Sequence, residues 1–215
     1  MLRLSDVSVS IGPVGILRNV SLEVGAGQFA GLIGRNGAGK TTLMRSIMGL
    51  LTIREGAVEF DGTALAPVPT HRRVSLGIGY MPEDRRLVPG LTVEENVLLP
   101  AWSAGFADAD ARLARVYAAI PEVQAFRTRR ALQLSGGQQK LVALARSMIG
   151  GTRLLLLDEP FEGVAPVLAR RLAEVIADLR RTGVTVILSE SSLVHARELL
   201  DRVFVIDRGA VAART

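Results

Sequence analysis

The sequence contains no cysteine. Disulfides are excluded, and the usual cysteine-based zinc sites with them, which fits a cytosolic protein. Lysine is nearly absent too. Of 26 basic residues only Lys40 and Lys140 are lysine, so arginine supplies the formal charge of +5. Apart from Arg127, Arg129 and Arg130 the arginines are scattered, which reads as a solvated surface and gives no reason to expect a nucleic-acid partner. No apolar run reaches the roughly 18 residues that a membrane span needs. The first ten residues, MLRLSDVSVS, have no charged-then-apolar leader pattern. Internal repeats and low-complexity segments are missing as well. What is present is a chain of 215 residues, 48% apolar, enough for one domain or one domain with an inserted lobe. Its mean hydropathy of +0.30 is high for a lone soluble domain and implies apolar surface covered by a partner.

The hydrophobic pattern changes along the chain. Leu2, Leu4, Val7 and Val9 alternate with Arg3, Ser5, Ser8 and Ser10, as in a half-buried antiparallel strand. Residues 28–34 and 153–159 are nearly continuous apolar runs, as in strands covered on both faces. Asp61-Gly62 predicts a hairpin turn. Helices are predicted from Lys40 to about Leu50, across about 92–126 behind a Thr92–Glu95 capping box, from Gly136 to Ile149 behind a Ser135 cap, over 166–181, and near 192–200. Strands are expected at 184–188 and 202–207. Trp102 is expected in the core of the middle helices. Strands alternating with helices after residue 28 predict an α/β fold with a mainly parallel sheet wrapped by helices. An antiparallel β part precedes that sheet. The expected division is a single domain, 1–215, with a core formed by 1–84 and 150–215 and a helical lobe over 85–149.

Gly34-Arg35-Asn36-Gly37-Ala38-Gly39-Lys40-Thr41 fits the spacing G-x-x-x-x-G-K-[ST]. Glycines let successive N–H groups curl toward phosphate oxygens, and the following helix adds its positive dipole end. Gly34, Asn36, Gly37, Ala38, Gly39, Lys40, Thr41 and Thr42 are the candidate phosphate ligands. Lys40 supplies a mobile positive charge to the outer phosphates, and the Thr41 hydroxyl can ligate Mg²⁺. A strand ending in two acids completes such a site. In "LLLLDE", Asp158 is the candidate Mg²⁺ support and Glu159 the candidate for polarising an attacking water. Mg²⁺ and a ligand bearing β- and γ-phosphates are the expected occupants.

The segment Leu134-Ser135-Gly136-Gly137-Gln138-Gln139 narrows the reading. With the phosphate loop before it and "LLLLDEP" after it, the chain resembles the ATPase subunit of an ABC transporter over essentially its whole length. The resemblance implies a phosphate-loop NTPase fold and a head-to-tail dimer, homo- or heteromeric. Each ATP would lie between one subunit's phosphate loop and the partner's Ser135, Gly136, Gly137 and Gln138. It further implies membrane permease subunits, an indirect solute-binding protein, and a place at the cytoplasmic face of the inner membrane. Residues 80–87 and 91–97, with "DEPFEGVAP" at 158–166, resemble the ATPases of branched-chain amino acid importers. Urea and short-amide importers are close relatives of that group.

Four positions depart from the general family pattern. Glu83 stands where a glutamine commonly reaches Mg²⁺ and the water. Ile11 stands at the adenine-stacking position, where it can pack on the base without π-stacking. Ala165 replaces an aspartate that crosses the dimer. Ser191 occupies the register of a γ-phosphate-contacting histidine, and His195, four residues on, reads as a surface residue. A serine hydroxyl can donate one hydrogen bond but carries no charge. The preferred reading is an active ATPase motor; a weakly hydrolysing nucleotide switch paired with a more active subunit is the alternative.

Overall fold

Leu154, Leu155, Leu156 and Leu157 are all fully buried, and alternate leucines enter different cores. A strand with no polar position must sit inside a sheet covered on both faces. In the computed structural model, which describes residues 1–214, it does.

The strands are β1 (Leu2–Ile11), β2 (Val14–Val24), β3 (Phe29–Ile33), β4 (Glu55–Phe60), β5 (Thr63–Ala64), β6 (Ile78–Met81), β7 (Leu154–Asp158), β8 (Thr185–Glu190), β9 (Arg202–Asp207) and β10 (Ala210–Arg214). The helices are α1 (Lys40–Ile47), α2 (Thr70–Arg73), α3 (Val93–Ala104), α4 (Ala109–Ala119), α5 (Pro121–Ala125), α6 (Gly136–Gly150) and α7 (Pro166–Asp178). One sheet has the order β2-β1-β4-β5 and is antiparallel. The other has the order β10-β9-β3-β8-β7-β6, and all its pairs are parallel except β10 with β9. This is the phosphate-loop NTPase architecture. One core joins the antiparallel sheet, α1 and one face of the parallel sheet. The other joins the opposite face to α3, α4, α5, α6 and α7.

Local chemistry sets the boundaries. Asp61 and Gly62, at φ 48° and 76°, make the tight turn between β4 and β5. The Thr92 hydroxyl accepts from Glu95 N at 3.2 Å while Glu95 Oε2 accepts from Thr92 N at 2.7 Å, which starts α3. Ser135 and Gln138 form the same reciprocal cap on α6.

Three expectations need correction. The helix after Lys40 stops at Ile47, short of Leu50. Gly49 N donates to Ser46 O and Leu50 N to Arg45 O, with Gly49 at φ 70°, a left-handed cap that ends the helix. The helix expected near 192–200 is a series of turns with one 3₁₀ turn at Arg197–Leu199. Ala196 is the only buried residue over 191–200, and Val194 is 78% exposed, so this stretch offers no apolar stripe to pack. Trp102 is 54% exposed. Helix α3 turns Val93, Val97, Leu98 and Ala101 inward, and this leaves Trp102 outside.

Candidate functional site

Ligand sites in open parallel sheets form beyond the carboxyl ends of the strands. Here β3, β8, β7 and β6 deliver, at that edge, the loop from Gly34, then Ser191, then Asp158-Glu159, then Glu83. A cleft of about 340 Å³ lies there, lined by Ile16, Asn36, Gly37, Gly39, Lys40, Thr41, Thr42, Glu83, Glu159 and Glu162.

The loop geometry depends on its glycines. A Cβ at Gly34 would lie 2.3 Å from the Ile206 carbonyl oxygen. Gly39 caps α1 at φ 114°, a conformation open only to glycine at low cost. The turn hands the chain directly to α1, so the helix N-terminus faces the cleft. Ala38 lies buried behind the loop.

Lys40 is 3% exposed. Its Nζ donates to Gly34 O at 2.7 Å and Arg35 O at 3.1 Å, and pairs with Glu159 Oε1 at 3.0 Å. Ser191 Oγ lies 2.7 Å from Asn36 Oδ1, 3.3 Å from Glu159 Oε2 and 3.5 Å from Lys40 Nζ. The serine in the histidine register therefore stands among the phosphate-loop side chains. His195 is exposed, and its ring sits 5.7 Å from that of Phe161.

Asp158 is fully buried and held by three hydroxyls: Thr41 at 3.2 Å, Tyr80 at 3.2 Å and Ser189 at 2.6 Å. Burial raises its pKa, and the three donors work against that rise. Glu159 has φ 47°, an uncommon conformation for a side chain with a Cβ. Its N–H donates to Ser189 O and Ser189 Oγ, both at 3.1 Å, and its carbonyl accepts from Lys140 Nζ at 2.7 Å. Glu190, 6% exposed, accepts from Phe161 N at 3.0 Å and is pushed up to about 7, chiefly by burial. Glu162 is also raised, by desolvation first and then by Glu159.

Two sets of predicted residues fall outside this cleft. Ile11 is 50% exposed and does not line it, whereas Ile16 does. Ser135, Gly136, Gly137 and Gln138 open α6 at a separate surface. Arg85 Nη1 donates to Gly136 O at 3.2 Å there. The sequence reading missed Ile16, Tyr80, Lys140, Glu162, Ser189 and Glu190. Of these, Lys140 carried a signal: one of only two lysines in the chain, directly before the apolar run Leu141–Ala145.

The donors suit a magnesium-bound nucleotide. Among the described residues no cluster of three metal-ligating side chains exists. Thr41 and Asp158 offer two adjacent hard oxygens, and Mg²⁺ characteristically completes such a partial set with substrate phosphates. Three carboxylates, Glu83, Glu159 and Glu162, face one ammonium across the cleft. A bare triphosphate would meet net repulsion, and a divalent cation removes it.

The family model described as ABC transporter matches residues 17–162. A high-affinity branched-chain amino acid transport ATP-binding protein of Pseudomonas aeruginosa, BraG, is 36% identical over 98% of this chain and 91% of its own length. A probable branched-chain amino acid transport ATP-binding protein of Archaeoglobus fulgidus, LivF, is 32% identical over 99% of this chain and 90% of its own. A solved dimeric ATP-binding cassette in a post-hydrolysis state, bound to ADP and phosphate, superposes with a TM-score of 0.88. It is 25% identical and covers 100% of this chain and 98% of its own.

Proposed function

The chain belongs to the ABC transporter family, and from that premise we propose that it is the ATP-hydrolysing subunit of a branched-chain amino acid importer. The observation that carries the chemistry is the meeting of Lys40, Glu159 and Glu83 in one cleft, with Asp158 bonded to Thr41 and Ser191 within 3.5 Å of Lys40 and Glu159. The loop N–H groups and Lys40 bind and orient the triphosphate. Thr41 and Asp158 would hold Mg²⁺, and Glu83, which lines the same cleft, would offer a further oxygen. When bound, that cation neutralises charge on the outer phosphate oxygens. Glu159 accepts a hydrogen bond from a water aligned with the γ-phosphorus. The water oxygen forms the new P–O bond as the bridging P–O bond breaks, which yields ADP and inorganic phosphate. Ser191 donates to the developing phosphate charge.

A second ATPase subunit is the expected partner. The Ser135–Gln138 cap lies outside the chain's own cleft, which leaves it available to a partner subunit's nucleotide. No described helix is long and apolar enough to cross a membrane; permease subunits are the further partner expected of a transporter of this family. A docking place for them is the groove of about 290 Å³ between core and lobe, lined by Met48, Leu50, Tyr80, Arg86, Pro100 and Arg146. Exposed Leu50 and Trp102 fit a covered surface. The assembly would sit peripherally at the cytoplasmic face of the inner membrane and receive solute from a binding protein.

Glu83 and Ser191 favour one competing reading, a nucleotide switch that closes and reopens with little hydrolysis. Phosphate release separates the two, measured on the chain alone and on the complex with its co-purifying ATPase and permease subunits. ATP-dependent uptake of leucine, isoleucine or valine by that complex supports the importer reading. Uptake of urea or short amides instead, or of no amino acid, overturns the substrate assignment.

A further inference from the structure

The chain's two lysines both end at one residue. Lys40 Nζ pairs with the Glu159 carboxylate at 3.0 Å, and Lys140 Nζ donates to the Glu159 carbonyl at 2.7 Å. Both ammonium-bearing side chains are buried, at 3% and 5% exposure. The first belongs to the phosphate loop. The second lies on α6, the helix opened by the Ser135–Gln138 cap, in a run from Lys140 to Ala145 that is buried throughout.

We propose that Lys140 is a positioning residue that ties the signature helix of this chain to its own catalytic glutamate, and so links the two ATP sites of the dimer. The inference rests on the ATPase reading above. In a head-to-tail dimer the start of α6 meets the partner's nucleotide, whereas Glu159 serves the chain's own. From Ser135 to Lys140 is about 7.5 Å of helix at 1.5 Å per residue. A movement imposed at the cap is therefore carried to Lys140 with little room for loss.

Four observations bear on the tether. Glu159 sits at φ 47°, a strained conformation that persists only where its surroundings enforce it. Its N–H is fixed by Ser189 on β8 and its carbonyl by Lys140 on α6. The two clamps thus lie on different elements, and a shift of α6 moves one without the other. The same helix also grips the loop that carries Glu83. Arg146 donates to the carbonyls of Arg85 and Arg86, the latter at 2.7 Å, and Arg85 returns a bond to Gly136 O. Helix α6 thereby holds both loops that face the reacting phosphate. Burying an ammonium is costly unless it is paired and hydrogen-bonded. Burial lowers the pKa of Lys140, and Glu190 and Glu162 work against that fall.

The test uses Lys140→Met, which keeps length and loses the donor, with Glu190→Gln to remove the carboxylate left without its cation. Hydrogen exchange of the 158–162 backbone, ATP binding by the chain, and kcat and KM of the assembled complex are measured. The double variant is expected to keep ATP affinity within about twofold, to exchange at least about tenfold faster over 158–162, and to lose at least about tenfold in kcat with KM little changed. Lys140→Arg, which retains a donor, is expected to recover most of the lost turnover. Wild-type exchange and turnover in the double variant overturn the proposal. So does a parallel loss of ATP binding, which would mark a structural role. A wild-type complex that releases no phosphate sinks the ATPase reading instead, and the exchange rates still decide the tether.

Discussion

Lys40 Nζ lies 3.0 Å from Glu159 Oε1, so the cation meant for phosphate is paired with the carboxylate meant for water. Both side chains are buried, and the pair is hardly screened by solvent. A γ-phosphate must draw Lys40 away from Glu159, and the departure releases the carboxylate to face water. Nucleotide and glutamate compete for one ammonium. Glu159→Gln is therefore expected to tighten ATP binding by about tenfold, and Lys40→Ala to weaken it at least as much. Titration calorimetry with ATP measures both changes. Shifts in the same direction contradict the competition.

Ser191 Oγ touches Asn36, Glu159 and Lys40 within 3.5 Å. Ser191→Ala removes the one donor at the γ-phosphate register. The expected result is a kcat lower by about tenfold with KM changed by less than about threefold. Ser191→His adds reach and replaces the hydroxyl with a ring N–H that can carry positive charge, and is expected to raise kcat above wild type. Steady-state phosphate release reads both.

Glu190 supplies a pH signature. Burial, assisted by Glu159 and Glu162 and opposed by the Phe161 N–H and Lys140, pushes it up to about 7 from the ordinary 4.5. The folded state then binds the Glu190 proton more tightly than the unfolded chain does. This contribution to stability is full below about pH 4.5, falls as pH rises through about 7, and is flat above. Glu190→Gln removes it. Thermal unfolding from pH 5 to pH 8 should show the variant gaining on wild type by roughly 1–3 kcal/mol as pH rises. Parallel curves would contradict the assignment.

Asn96 is fully buried, and its amide is fully used. Its Oδ1 accepts from Val88 N at 2.7 Å, while Nδ2 donates to the carbonyls of Val88, Leu91 and Thr92. It pins the loop that runs from the Glu83 segment into α3. Asn96→Leu leaves the Val88 N–H unpaired and is expected to cost about 2–4 kcal/mol in chemical denaturation.

What could be read from the sequence was local. Gly34 to Thr41, Asp61-Gly62 and the Thr92 and Ser135 caps are each specified within a few residues, and each was placed correctly on its loop, turn or helix end. The parallel sheet followed from unbroken apolar runs such as 154–157. The misses were decided at a distance. Ser189 and Tyr80 reach Asp158 from neighbouring strands, and Lys140 reaches Glu159 across 19 residues, contacts that no local spacing encodes. Ile11 and Ile16 are alike in type, and only the path of β1 into β2 puts the second in the cleft. Trp102 has the composition of a core residue, but the phase of α3, set by its cap at Thr92, turns it outward.

The central claim is that Glu159 directs hydrolysis in the cleft. Phosphate release by the assembled wild-type complex, set against the same complex carrying Glu159→Gln, tests it most directly. The account predicts a fall in kcat of at least about a hundredfold with nucleotide still bound. Equal rates in the two complexes would contradict it.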